Sequence, residues 1–185
     1  MSKKVFAAIL AVLTPLPIML YLSTNSNVYP ITLIIKFLPA FCSPVVAPVS
    51  MLFPRVHPVD FGKKLWGQRL LGDKKTIEGS LIAIILSTGL GIVLSEPLVG
   101  FVFAIGAMLG DFLNSFIKRR LEIPPGKYFA IMDELNFLIF PIIFSTRFFN
   151  ITLLDVLILC SLAMILHYVY DRIALFTGFK TRDSI

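Results

Sequence analysis

Charge is scarce in this chain. Only 15% of its 185 residues are Asp, Glu, Lys or Arg, whereas a water-soluble domain usually carries about 25%. The shortfall is made up by apolar residues, at 57% of the chain, and the mean hydropathy is +0.87. A soluble fold of this size has too little interior to hide that much apolar surface, so the composition points to an integral membrane protein made of helices. Cysteine is limited to Cys42 and Cys160, both inside apolar runs and neither in a metal-type spacing. That leaves no basis for a disulfide framework and reads as two buried small apolar residues. The two histidines, His57 and His167, are isolated. There is no Ser-His-Asp set, no zinc motif, no Gly-x-Ser-x-Gly elbow and no Walker-type G-x-x-x-x-G-K-[ST] spacing. Hydrolase, zinc-enzyme and P-loop chemistries are therefore unsupported. No internal repeat or low-complexity tract is visible.

What is present is a series of apolar runs, roughly 5–22, 31–53, 77–95, 97–117, 131–147 and 152–176. About 20 helical residues cross a hydrocarbon core of ~30 Å, and each run is near that length. The first run holds Pro15 and Pro17 and the second Pro39, Pro44 and Pro48, so both are expected to kink or unwind locally. The basic start of the first run resembles a cleaved signal peptide, but the region after it is no exported domain, and a membrane helix is the better reading. The expected fold class is all-α: a polytopic membrane bundle of five to six transmembrane helices. Residues 1–185 form a single transmembrane domain with two basic cytoplasmic loops, about 54–76 and 118–130. If the N-terminus is cytoplasmic, 14 of the 17 basic residues fall on the cytoplasmic side, as the positive-inside rule requires. Trp66 suits an interfacial anchor.

The charges that remain are concentrated. Between Gly110 and Phe137 the chain reads "GDFLNSFIKRRLEIPPGKYFAIMDELNF". A charge at membrane depth costs at least ~2.5–3.5 kcal/mol on the mildest scale, so this cluster needs a use. If the fourth run stays helical past Gly110, Asp111, Asn114, Ser115 and Lys118 make one polar stripe. Asp133 and Asn136 begin the next run at the same helical spacing, and a short turn brings the two polar ends together. Carboxylates at a membrane surface, ringed by Lys and Arg, suit Mg²⁺ and phosphate. The bland alternative is a structural ion pair, such as Asp111 with Lys118. The other loop, "HPVDFGKKLWGQRLLGDKKTIEGS", interleaves Gly62, Gly67, Gly72 and Gly79 with basic residues. It ends where Thr76 suits a helix cap and where Lys74 and Lys75 suit a phosphate. Its bland alternative is an ordinary basic loop touching anionic lipid.

These residues carry a resemblance. The stretch from Gly110 to Phe137 looks like the signature of the membrane cytidylyltransferases, in which Ser-x-x-Lys-Arg is followed by a Gly-containing loop and an Asp-x-x-Asp pair. Ser115, Lys118, Arg119, Gly126 and Asp133 stand at those places. With the short length and "PVDFGKKLWGQRLLGDKKT", the chain resembles the archaeal branch of that group, the CDP-archaeol synthase family, over about residues 31–176. Residues 1–30 are an added N-terminal segment. There are departures. Asn136 stands where the family usually has Asp, Lys74 where a Gly is expected and Glu78 where a basic residue is common. Asn is a neutral, weaker metal ligand, so a second metal is less supported.

The resemblance implies a CTP-dependent nucleotidyltransferase of phospholipid biosynthesis. It would transfer a cytidylyl group from CTP to unsaturated archaetidic acid, a glycerol phosphate bearing geranylgeranyl ether chains, and release pyrophosphate. It further implies that Asp111 and Asp133 hold Mg²⁺ and that Asp111, Asp133 and Lys118 are catalytic. Lys75, Thr76, Ser115, Arg119, Arg120 and Asn136 would contact substrate. The expected setting is a multi-pass protein of the cell membrane with its site facing the cytoplasm. Its partners would be CTP, an isoprenoid ether lipid phosphate and membrane lipids, with no nucleic acid and a homodimer left open. The chemistry agrees with the absences: a lipid phosphate is already an anionic nucleophile, so positioning and charge neutralisation replace a strong base. Alternatives are a CDP-diacylglycerol synthase acting on phosphatidic acid and, less favoured, a membrane transporter with polar groups near midplane. A CDP-alcohol phosphotransferase is disfavoured, because its Asp-x-x-Asp-Gly-x-x-Ala-Arg signature is missing.

Overall fold

Within the described residues, the apolar runs fold as helices. A computed structural model describes residues 31–50, 57–124 and 127–176. Five helices account for most of it: α1 (Ile31–Ser50), α2 (Ile77–Val93), α3 (Pro97–Arg120), α4 (Ala130–Ser145) and α5 (Leu153–Phe176). Between α1 and α2 lies a loop with one small hairpin, β1 (Lys64–Leu65) and β2 (Gln68–Arg69), paired antiparallel. The helices fall on five of the six apolar runs; the first run, within residues 1–30, lies outside the described residues, as do Arg55 and the C-terminal basic residues.

The helix boundaries have local causes. Thr76 caps α2: its hydroxyl accepts from the Gly79 amide at 3.1 Å, satisfying one of the donors a helix start leaves free. Pro97 opens α3 at a position where its missing N–H costs nothing. The link between α2 and α3 is short. Ser95 takes a left-handed φ of 60°, and the Glu96 amide donates to the Gly91 carbonyl at 2.7 Å, which turns the chain directly back on itself.

Glycines decide how near the helices come. A Cβ at Gly91 would lie 2.9 Å from the Gly100 Cα, so α2 and α3 touch backbone to backbone at this end. Further along α3, a Cβ at Gly106 would meet the Pro141 ring at 2.9 Å, and one at Gly110 would lie 1.8 Å from the Asn136 carbonyl oxygen. Gly106 and Gly110 form a small-x-x-x-small face, the pattern that lets helices in lipid approach closely. Above it sits an aromatic core. Phe37 and Phe103 are fully buried, with ring centroids 4.8 Å apart, and Phe41 meets Phe137 edge-on at 5.5 Å. A charge lies within reach of this cluster: Lys36 Nζ sits 4.6 Å from the Phe149 ring centroid, a cation–π contact.

The helices are less uniform than the runs suggest. Among the described residues α3 alone is long and apolar enough to cross a membrane by those criteria; Ile31–Cys42, Ile77–Val93 and Leu153–Val169 are shorter apolar stretches. α4, with 16 residues, rises about 24 Å and carries Asp133 in its first turn.

Candidate active site

The helix-start end of α2, the C-terminal end of α3 and the first turn of α4 meet at one end of the bundle. α3 does stay helical to Arg120, so Asp111, Asn114, Ser115 and Lys118 lie along one stripe. The approach of Gly110 to Asn136 seats the first turns of α4 against it.

Each predicted acid is paired with a lysine. Lys75 Nζ lies 2.6 Å from both carboxylate oxygens of Asp111. Lys118 Nζ lies 2.9 and 2.8 Å from the oxygens of Asp133. The structural pair imagined within α3, Asp111 with Lys118, does not form; both lysines reach across to another element. Asp133 is held further by Asn114 Nδ2 at 2.7 Å and by the Phe129 amide at 2.8 Å. The two acids are thus unequal. Asp133 is fixed by two side-chain donors from α3 and by a backbone amide of the preceding loop. Asp111, with 36% of its side chain exposed, accepts from Lys75 alone among the described residues.

The other predicted residues divide. Asn136 is buried, its Nδ2 donating to the Asp133 carbonyl at 3.2 Å. Ser115 is buried beside Asn114. Thr76 is buried and its hydroxyl serves the helix cap. Arg119 Nε is buried with no hydrogen-bond partner among the described residues. Arg120, expected at a phosphate, is bonded here to the neighbouring loop. Its guanidinium donates to the Leu65, Gln68 and Arg69 carbonyls at 2.6, 3.4 and 2.7 Å. It also packs near the rings of Trp66 and Phe116. The physical reason is that a fork of N–H donors at the end of α3 meets the free carbonyls of a two-residue hairpin. Arg120 ties the loop to the helix.

Sequence reasoning missed the organiser of that loop. Asp60 is buried and accepts from Arg69 Nη2 at 2.6 Å and Nε at 3.3 Å, and from the amides of Gly62, Leu71 and Gly72 at 3.0, 3.0 and 3.1 Å. The Arg69 guanidinium, helped by those amides, holds its carboxyl well below the usual carboxylate range against the opposing effect of burial. The loop is then stitched to α2 by a bridge between Pro58 and Thr76. Val59 donates to Lys75 O and Ile77 to His57 O, each at 2.8 Å, and His57 pairs with Glu78 at 2.6 Å. This lattice presents Lys75 to Asp111. The available signal was "PVDFG": an Asp two residues before a Gly favours a side-chain-to-backbone turn.

The donor set fits Mg²⁺. The ion takes one or two carboxylates and completes its shell with phosphate oxygens and water. Asp111 is half-exposed, and the buried amide oxygen of Asn114 has no partner among the described residues. Both are hard oxygen donors on one face of α3.

The chain is a largely helical bundle with acids and lysines interlocked at one end, and its fold resembles that of an intramembrane enzyme. A solved structure of that kind, an intramembrane enzyme for archaeal membrane lipid biosynthesis, is similar with a TM-score of 0.67 and 29% identity, over 75% of this chain and 91% of that one. The family model described as CarS-like, CDP-archaeol synthase, matches residues 87–182. A CDP-archaeol synthase of Saccharolobus solfataricus is 37% identical over 142 residues, covering 72% of this chain and 84% of that protein. One from Sulfolobus acidocaldarius is 38% identical over 125 residues, covering 63% and 77%. The chain belongs to the CDP-archaeol synthase family.

Proposed function

We propose that this protein joins the cytidylyl group of CTP to the phosphate of an isoprenoid ether lipid, forming a CDP-archaeol and pyrophosphate. An oxygen of the lipid phosphate attacks the α-phosphorus of CTP, and the bond to the β-phosphate breaks as pyrophosphate leaves. The difficulty is to bring two polyanions together, and the chain's residues address it. Lys75 and Lys118 neutralise phosphate charge, and Arg119 adds a further cation to the same end of the bundle. Asp111, Asn114 and Asp133 are the oxygen groups that would hold Mg²⁺. When bound, the ion would neutralise and orient the triphosphate. Ser115 and Asn136 line this polar patch, while Asp60 and Arg120 hold the loop that carries Lys75. A single acid–lysine patch replaces the hydrolase machinery that the chain lacks.

The observation that carries this reading is the interlocking of Lys75 with Asp111 and of Lys118 with Asp133, at 2.6 to 2.9 Å, where three helices converge. The setting supports it too. Large apolar side chains stay exposed along the described helices, among them Ile85 at 67%, Val93 at 71% and Ile165 at 60%, a surface suited to acyl or isoprenoid chains rather than to water. With the basic loops on the cytoplasmic side, CTP would arrive from water and the lipid head from the same leaflet, in a single domain of five to six spans.

Purified protein incubated with CTP, Mg²⁺ and a panel of lipid phosphates tests the reading by pyrophosphate release. Release with a geranylgeranyl ether glycerol phosphate is expected. Preference for phosphatidic acid would move the substrate to ester lipid, and silence with every lipid phosphate would sink the proposal.

A further inference from the structure

The two lysine–carboxylate pairs differ in a way that assigns them different duties. Asp133 accepts from Lys118, Asn114 and the Phe129 amide, so freeing it would dismantle the start of α4. Among the described residues Asp111 is held by Lys75 alone, from a loop 36 residues earlier in the chain, and the pair is partly exposed. Lys75 lies between the lattice that docks the loop and the cap of α2, so its backbone is placed while its long side chain can turn. An ammonium has donors but no acceptor, so it cannot share a metal as a ligand. While Nζ lies against both oxygens of Asp111, that carboxylate is closed to a cation.

We infer that Lys75 is an exchangeable counter-ion: it occupies Asp111 in the empty site and moves to the triphosphate when the metal–nucleotide enters. The inference rests on the reading of Asp111 as a metal-holding acid. Its physical content is competition. Each partner of the pair masks the other from its true ligand, so metal alone meets a neutralised carboxylate and nucleotide alone meets a neutralised lysine. Arriving together, they restore both charges to use, and by linkage each then raises the other's affinity. The device favours loading with the metal–nucleotide over either component by itself.

The test reads binding, from both sides of the pair. Mn²⁺ alone is titrated by electron paramagnetic resonance into detergent-solubilised wild type and Lys75→Met. CTP is titrated in EDTA into wild type and Asp111→Asn. Removing the ammonium should tighten Mn²⁺ alone by roughly threefold or more, and removing the carboxylate should tighten metal-free CTP by a similar factor, the scale of a partly exposed ion pair. A merely structural pair would weaken both. Each variant gives an independent reading, so misfolding of one leaves the other decisive. Unchanged or weaker binding in the folded variants overturns the exchange. Wild-type pyrophosphate release, run alongside, separates that failure from failure of the functional reading.

Discussion

Gly110 lies so close to the carbonyl oxygen of Asn136 that a Cβ on it would come within 1.8 Å. Backbone cannot yield by that much without moving a helix. Gly110→Val should therefore separate α3 from α4, with destabilisation of about 3 kcal/mol or more, and should abolish turnover by displacing Asp133 from Asn114 and Lys118. Thermal unfolding in detergent checks it; a wild-type midpoint would show that the helices do not meet there.

Asp111 offers a cleaner separation of chemistry from folding. Its only described partner is one lysine, and it is partly exposed. Asp111→Asn should keep the wild-type melting temperature within a few degrees while turnover falls about 10³-fold, several kcal/mol of lost charge stabilisation. Near-normal activity in the purified variant would remove Asp111 from the metal site.

Arg120 is predicted to act through the loop. A lysine cannot reproduce a guanidinium fork across the Leu65, Gln68 and Arg69 carbonyls. Arg120→Lys should loosen the hairpin and speed tryptic cleavage after Lys63 or Lys64 by about tenfold, the scale of one lost charge-assisted hydrogen bond. The melting temperature should barely move. Cleavage at the wild-type rate would mean that the hairpin is held by something else.

The loop should also respond to acid. Asp60 is held below its ordinary pKa by Arg69 and three amides, so the stability it contributes is present above the unfolded value near 3.9. It is lost as pH falls through the lower folded value. Pepsin nicking within residues 57–76 should be slow at about pH 5 and should accelerate progressively below about pH 4. Asp60→Asn should be nicked readily throughout. A wild-type loop that resists pepsin equally at about pH 5 and at about pH 2 would contradict the ion-pair account.

Much of this was legible along the chain because it is local. Apolar runs long enough for a helix became α1 to α5, Thr76 before a helical run became its cap, and a four-residue spacing put Asp111 and Ser115 on one stripe. The hairpin was not legible, since two residues per strand are too few to show an alternating pattern. Its turn places Trp66 at a positive φ of 52°, a conformation that residue rarely signals. Gly106 and Gly110 could have announced the α3–α4 contact through their spacing.

By itself, the sequence determined the helical class, the family and the candidate acids and bases, because periodicity, composition and motif are properties of neighbouring residues. Tertiary structure alone decided which base meets which acid. It gave Lys75 to Asp111 and Lys118 to Asp133, tied Arg120 to a hairpin, and raised Asp60 from an unremarked loop residue to its organiser. Such pairings depend on where rigid helices stop and how near glycines let them come, and that distance is not written in any short stretch of chain.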